Sequence, residues 1–168
     1  MHAFRSAFRA RDAKKRVDER DEHGDRIIAG RRNMPRRGVL EQQLRAELAE
    51  DVRTLLNSVN LGSALDLSGL PYVSRSILNF GLDDLSSVTI DEDAVAAVGR
   101  GLKDVLCRFE PRLLRSSVRV EKDTAVHSTD MIVRFLVRAD MRCDPLDVPI
   151  EFVADLELES AKVRIFKL

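Results

Sequence analysis

The tetrad Phe109-Glu110-Pro111-Arg112 is the part of this sequence whose residue types and spacing most suggest chemistry. A carboxylate and a guanidinium stand two positions apart around a proline, which fixes its own φ. That arrangement suits a charge-assisted, bidentate bond bracing a junction. The same Glu110 would serve as the general acid of a glycoside hydrolase only if a second carboxylate lay about 5–9.5 Å away across a cleft. Asp123 and Asp130 are the nominees. Against hydrolysis stands the scarcity of sugar-stacking surfaces, with Tyr72 the single tyrosine and no tryptophan in the chain.

Other chemistries find less support. His2, His23 and His127 are widely separated, and no Cys/His cluster has the spacing of zinc ligands. Asp83-Asp84 and the acidic run Asp91 to Asp93 lack the ligand pattern of an EF-hand. Gly99-Arg100-Gly101 lacks the strand–loop–helix setting and the Lys-Ser/Thr ending of a phosphate loop. Arg31-Arg32 and Arg36-Arg37 have no interleaved aromatic residues to stack bases. The expectation is therefore no enzyme activity, no metal, no cofactor and no nucleic-acid partner. Cys107, on a helix, reads as core, and Cys143 as a loop residue. Two thiols make no disulfide framework, so a reducing, cytoplasmic setting is expected. The charged N-terminal run lacks the apolar centre of an export signal, and no apolar run approaches the ~18 residues of a membrane span.

A chain of 168 residues makes one domain with room for an appendage, and its formal net charge is zero. The zero is a cancellation. The first forty residues hold twelve basic and six acidic groups, so the remainder is acidic to the same extent. Residues 1–38 read as a charged, flexible arm, with a helix over 4–22 carrying Phe4 and Phe8 as candidate anchors on one face. Residues 39–168 read as the globular domain. Leu40, Leu44, Leu48, Val52, Leu55 and Leu56 mark an amphipathic helix that closes near Asn57. Pro71 suits the first turn of a short helix carrying Val73, Ile77 and Leu78, with Gly81 as its stop. A second long helix is expected from Thr89, with Thr89 and Glu92 as a capping box. Its buried stripe is expected at Ile90, Ala94, Val98 or Ala97, Leu102, Val105 and Leu106, and paired glycines 99 and 101 suggest close packing. Past Leu113 the period becomes twofold, giving strands around 118–121, 131–139, 150–158 and 163–165, the third with a nearly fully acidic outer side. Helices followed by strands predict an α+β fold, with the helices on one face of a four-stranded, mainly antiparallel sheet. The last strand would leave an edge able to pair with another chain.

Three segments in order carry a resemblance to a known family. Leu55-Leu56-Asn57-Ser58 resembles a Leu-Leu-Asn-Thr-Arg signature. Ser76 to Leu85, with Gly81, Leu82 and Asp84, resembles an Ile-x-x-Tyr-Gly-Leu-Pro-Asp-Leu segment, and Glu110-Pro111-Arg112 matches a Glu-Pro-Arg motif. These are the marks of the phage-tail baseplate wedge family that includes TssE of type VI secretion systems, sometimes labelled lysozyme-like. Departures occur at Val59 or Asn60, where the family often has Arg, at Phe80 in place of Tyr, and at Asp83 in place of Pro.

The resemblance implies a structural, non-catalytic wedge subunit. Its partners would be TssF-like and TssG-like wedge proteins, contractile sheath subunits and a TssK-like baseplate protein. Its location would be a cytoplasmic baseplate near the inner membrane, without membrane insertion. Glu110 and Arg112 would then dock a partner or hold the motif's shape. A different structural or adaptor module, and a hydrolase using Glu110, are the alternatives.

Overall fold

The computed structural model describes residues 8, 10–12, 14, 41–86, 88, 91–123, 131–143 and 146–166. The chain divides into two units, residues 1–37 and 38–168. In the first unit Phe8 is exposed and its carbonyl accepts from the Arg11 N–H at 3.0 Å. Phe4 lies outside the described residues, as does most of the helix expected over 4–22.

The second unit opens with α1 (Glu41–Leu56), which buries Leu48, Val52, Leu55 and Leu56 as its spacing requires. A short helix α2 (Pro71–Ser74) and 3-10 turns at Leu61–Ser63 and Ile77–Asn79 lead to the second long helix, α3 (Glu92–Phe109). Four strands follow: β1 (Arg119–Lys122), β2 (Ile132–Met141), β3 (Val148–Glu157) and β4 (Lys162–Phe166). They form one antiparallel meander in the order β1-β2-β3-β4. The result is the α+β arrangement that the change of period foretells.

Three local expectations are corrected. The cap of α3 is Asp91, whose carboxylate accepts from the Ala94 N–H at 2.8 Å; Thr89 and Ile90 lie outside the described residues. Asp91 caps with the β-region backbone that an N-cap needs, and Glu92 and Asp93 then fall in the first turn, where the helix dipole favours acids. The buried stripe is Val95, Gly99, Leu102 and Leu106, while Ala97 is exposed and Ala94, Val98 and Val105 are half-buried. Gly99 turns the helix this way. A Cβ there would stand 3.0 Å from Cε1 of the buried Phe135, so a bare backbone lets the helix close onto that ring. Gly101 meets only ordinary contacts. Lastly, Pro71 to Leu78 is two separate turns, and Ile77 and Leu78 are exposed.

One face of the sheet lays Val133, Phe135, Val137, Ile150, Phe152 and Leu156 into the core shared with both long helices. The other face carries charge in matched pairs. Arg134 donates through two nitrogens to Asp155, each at 2.6 Å, Arg138 reaches Glu151 at 2.7 Å, and Arg164 reaches Glu157 at 2.7 Å. Arg134–Asp155 and Arg138–Glu151 are directly opposed across β2 and β3, where cross-strand charges of opposite sign stabilise. The acids expected to make one side of β3 acidic are thus neutralised by arginines of neighbouring strands. Among the described residues, no helix is long and apolar enough to cross a membrane.

Leu102, fully buried in α3, tests where this core lies. Leu102→Ala is expected to cost about 2–5 kcal/mol in urea denaturation, whereas Lys103→Ala on the exposed side stays within about 0.5 kcal/mol.

Candidate functional site

Glu110 ends α3. Its backbone (φ −110°, ψ 87°) has left the helical region, as a residue before proline must, and its N–H closes the last turn on the Leu106 carbonyl at 3.0 Å. Pro111 turns the chain so that Arg112 folds back onto Glu110. Nε of Arg112 donates to Oε1 at 2.6 Å, its backbone N–H donates to the same oxygen at 3.1 Å, and Nη2 donates to Oε2. Nη2 also donates to Asp51 of α1 at 2.6 Å. Glu110 is only 4% exposed, and its charge sits at the negative end of a helix dipole, so the guanidinium is what makes that position tolerable. In turn Glu110, then Asp51, hold the Arg112 guanidinium above its usual pKa. The Arg112 carbonyl accepts from the Arg142 N–H at 2.8 Å, which fixes the motif to the end of β2.

The end of α1 is tied as firmly. Leu55, Leu56 and Leu82 are core residues. Asn57 turns its side chain to β4, where its amide donates to the Val163 carbonyl at 2.9 Å and its oxygen accepts from the Val163 N–H at 3.0 Å. A side-chain amide here does the work of a fifth strand, and both edge-facing groups of Val163 are taken. Just beyond, Leu82 donates to the Ser58 carbonyl at 2.8 Å and accepts from the Asn60 N–H at 2.9 Å. Gly81, at φ +122°, makes this approach possible, since a Cβ would fall 2.2 Å from the Ser58 oxygen.

The departures from the family pattern fit together. Asn60 is buried and donates to Asp83 at 2.6 Å, while its oxygen accepts from the N–H and hydroxyl of Ser63. Asn60, one of the two candidates for the position that often holds Arg, is thus the hydrogen-bonding partner of Asp83, at the position that usually holds Pro, while Val59, the other candidate, is exposed. Phe80 packs edge-on against Phe109, with ring centres 5.3 Å apart, a contact that needs no hydroxyl. Asp84 is exposed and accepts from the Ser86 N–H and hydroxyl, which hold its pKa down.

A model of the family described as baseplate wedge protein gp25 matches residues 42–146, a span that holds all three motifs. The chain belongs to this family. No curated protein and no solved structure matches it. The match ends before β3 and β4, the hairpin that completes the sheet in this member of the family.

In this wedge-family chain the motif residues brace α1 at two points, Glu110, Pro111 and Arg112 through Asp51, and Leu55, Leu56, Asn57, Gly81 and Leu82 at its C-terminal end. Asp84 stands in an adjoining exposed turn. Glu110 has both oxygens engaged by Arg112, which leaves it poorly placed as a proton donor to substrate. Asp130, one nominated partner, lies outside the described residues. Burial, first of all, pushes the Cys107 thiol above its usual pKa, away from a nucleophile's range. Sequence reasoning missed Asp51, because one acid among many on a charged helix face carries no mark of its partner. It also missed the exposure of Ile77 and Leu78, whose apolar character reads as core.

Three substitutions measure the brace. Arg112→Ala leaves Glu110 buried without its cation and is expected to lower stability by about 2–3 kcal/mol, less than a fully buried pair because the Arg112 side chain is 26% exposed. Arg112→Lys, which lacks the planar fork, recovers only part of that loss in the same denaturation experiment. Gly81→Ala is expected to cost about 1–3 kcal/mol by forcing a side chain into a left-handed position against a backbone oxygen.

Proposed function

We propose that this chain is a structural baseplate wedge subunit of a type VI secretion system. In this reading it docks on larger TssF-like and TssG-like wedge proteins, lies near a TssK-like baseplate protein, and helps to start polymerisation of the contractile sheath. The observation that carries the proposal is the family match across all three motifs. In this role the brace is a shape-holding device and binding falls to what it presents. Tyr72, Ile77 and Leu78 are 90%, 78% and 66% exposed, on turns fixed by Ser76, Asn79 and Arg108 through bonds to backbone. Apolar side chains displayed on a rigid turn are the usual anchors of a protein interface. Residues 1–38 serve as a second attachment, with Phe4 and Phe8 as anchors and a basic charge suited to an acidic neighbour.

Asn57 restricts how a sheath strand would add to β4, because Val163 has no free backbone group to offer. Strand addition there would have to begin beyond it, around Ile165.

Co-expression with the TssF-like and TssG-like proteins of the same system tests the reading. The native chain is expected to co-purify with them. The triple variant Tyr72→Ala, Ile77→Ser, Leu78→Ser is expected to lose most of that binding with an unchanged melting temperature, while deletion of residues 1–37 weakens it. Co-purification untouched by the triple variant would remove the turns from the interface. Failure of the native chain to co-purify would count against a wedge role in such a system.

A further inference from the structure

A groove of about 530 Å³ runs between α3 and β1, on the opposite side of the sheet from the paired arginines and apart from the motif brace. Its floor is apolar, made by Val95, Val120 and Phe135. Its walls are cationic. Arg100 and Lys103 stand three residues apart on one side of α3, and Lys122 faces them from β1. Glu92, at the first turn of α3, is the single acid lining the groove.

These cations differ from the arginines of the motif and of the open sheet face. Arg112, Arg134, Arg138 and Arg164 are each bonded to a carboxylate. Among the described residues, no ion pair joins Arg100, Lys103 or Lys122 to an acid. The body outside the arm carries more acids than bases, so three unmatched cations around one apolar trough are a local reversal of its charge. A polyanion such as nucleic acid would use the cations and leave the floor unfilled. A wholly apolar segment would fill the floor and strand the cations at its sides. An occupant that satisfies both carries acids on either side of an apolar residue.

We propose that the α3–β1 groove is a docking site for an acidic segment of another protein, with a leucine- or phenylalanine-like residue on the floor and flanking carboxylates paired with Arg100 and Lys103 on one wall and Lys122 on the other. The basic arm of a second copy is the wrong sign for it. The site is separate from the exposed turns around Tyr72 and would give the subunit a second partner-facing surface.

Fluorescence anisotropy of the full-length chain tests this with a fluorescein-labelled peptide bearing a central Leu flanked by Glu and Asp. Binding is expected to weaken as salt rises. It should fall at least about tenfold with Arg100→Glu/Lys103→Glu, and separately with Lys122→Glu on the opposite wall. It should be retained with the charge-keeping pair Arg100→Lys/Lys103→Arg. Replacing the central Leu by Ser should also weaken it, and a peptide with Lys for each acid should not bind. Thermal melts of every variant confirm that the fold is intact. The proposal is overturned if the acidic peptide does not bind, if charge reversal leaves binding unchanged in folded protein, or if single-stranded oligothymidylate binds as tightly as the peptide.

Discussion

A carboxylate buried at the C-terminal end of a helix is opposed by desolvation and by the helix dipole, and Glu110 is placed there with only Arg112 to relieve it. The guanidinium is a planar fork, so one side chain can engage both oxygens of Glu110 and still reach Asp51 on the other long helix. Three parts of the chain distant in sequence are joined at that point: the middle of α1, the end of α3 and, through the Arg112 carbonyl, the end of β2. The packing of the two helices over the sheet rests on this ionic node as well as on the apolar core around it.

The remaining motif residues extend the same logic. Asn57 lends its amide to the edge of β4, and Gly81 gives up its side chain so that two backbones can meet. The buried Asn60 finds its partner in the exposed Asp83. A signature of this kind is easily mistaken for a contact surface. Here much of it is buried or bonded inward, and the side chains left facing solvent include Asp84 and the apolar residues of the turns it fixes. A wedge protein needs this division, since a surface that binds several neighbours must keep its shape while none is bound.

Charge is distributed with similar economy. On the open face of the sheet, acids and arginines are matched strand against strand, which keeps that face well solvated without a strong net field. The trough between α3 and β1 contrasts with that face, since its cations stand over an apolar floor with no acid paired to them among the described residues. A zero overall charge thus hides a basic arm, a neutralised sheet face and one cationic groove.

By itself the sequence determined the elements and their class, because apolar periods of 3.6 and 2 are local and each fixes which side of a helix or strand must be buried. It also marked Glu110-Pro111-Arg112, since a proline between opposite charges is legible wherever it stands. Only the tertiary structure decided the partners. Nothing near residue 51 announces that its acid will meet Arg112, and nothing near residue 57 announces Val163, because those distances depend on how separate elements pack. The same holds for Ile77 and Leu78: hydrophobicity says that a residue gains by burial, but only the fold says whether the chain itself supplies the burial or leaves it to another molecule.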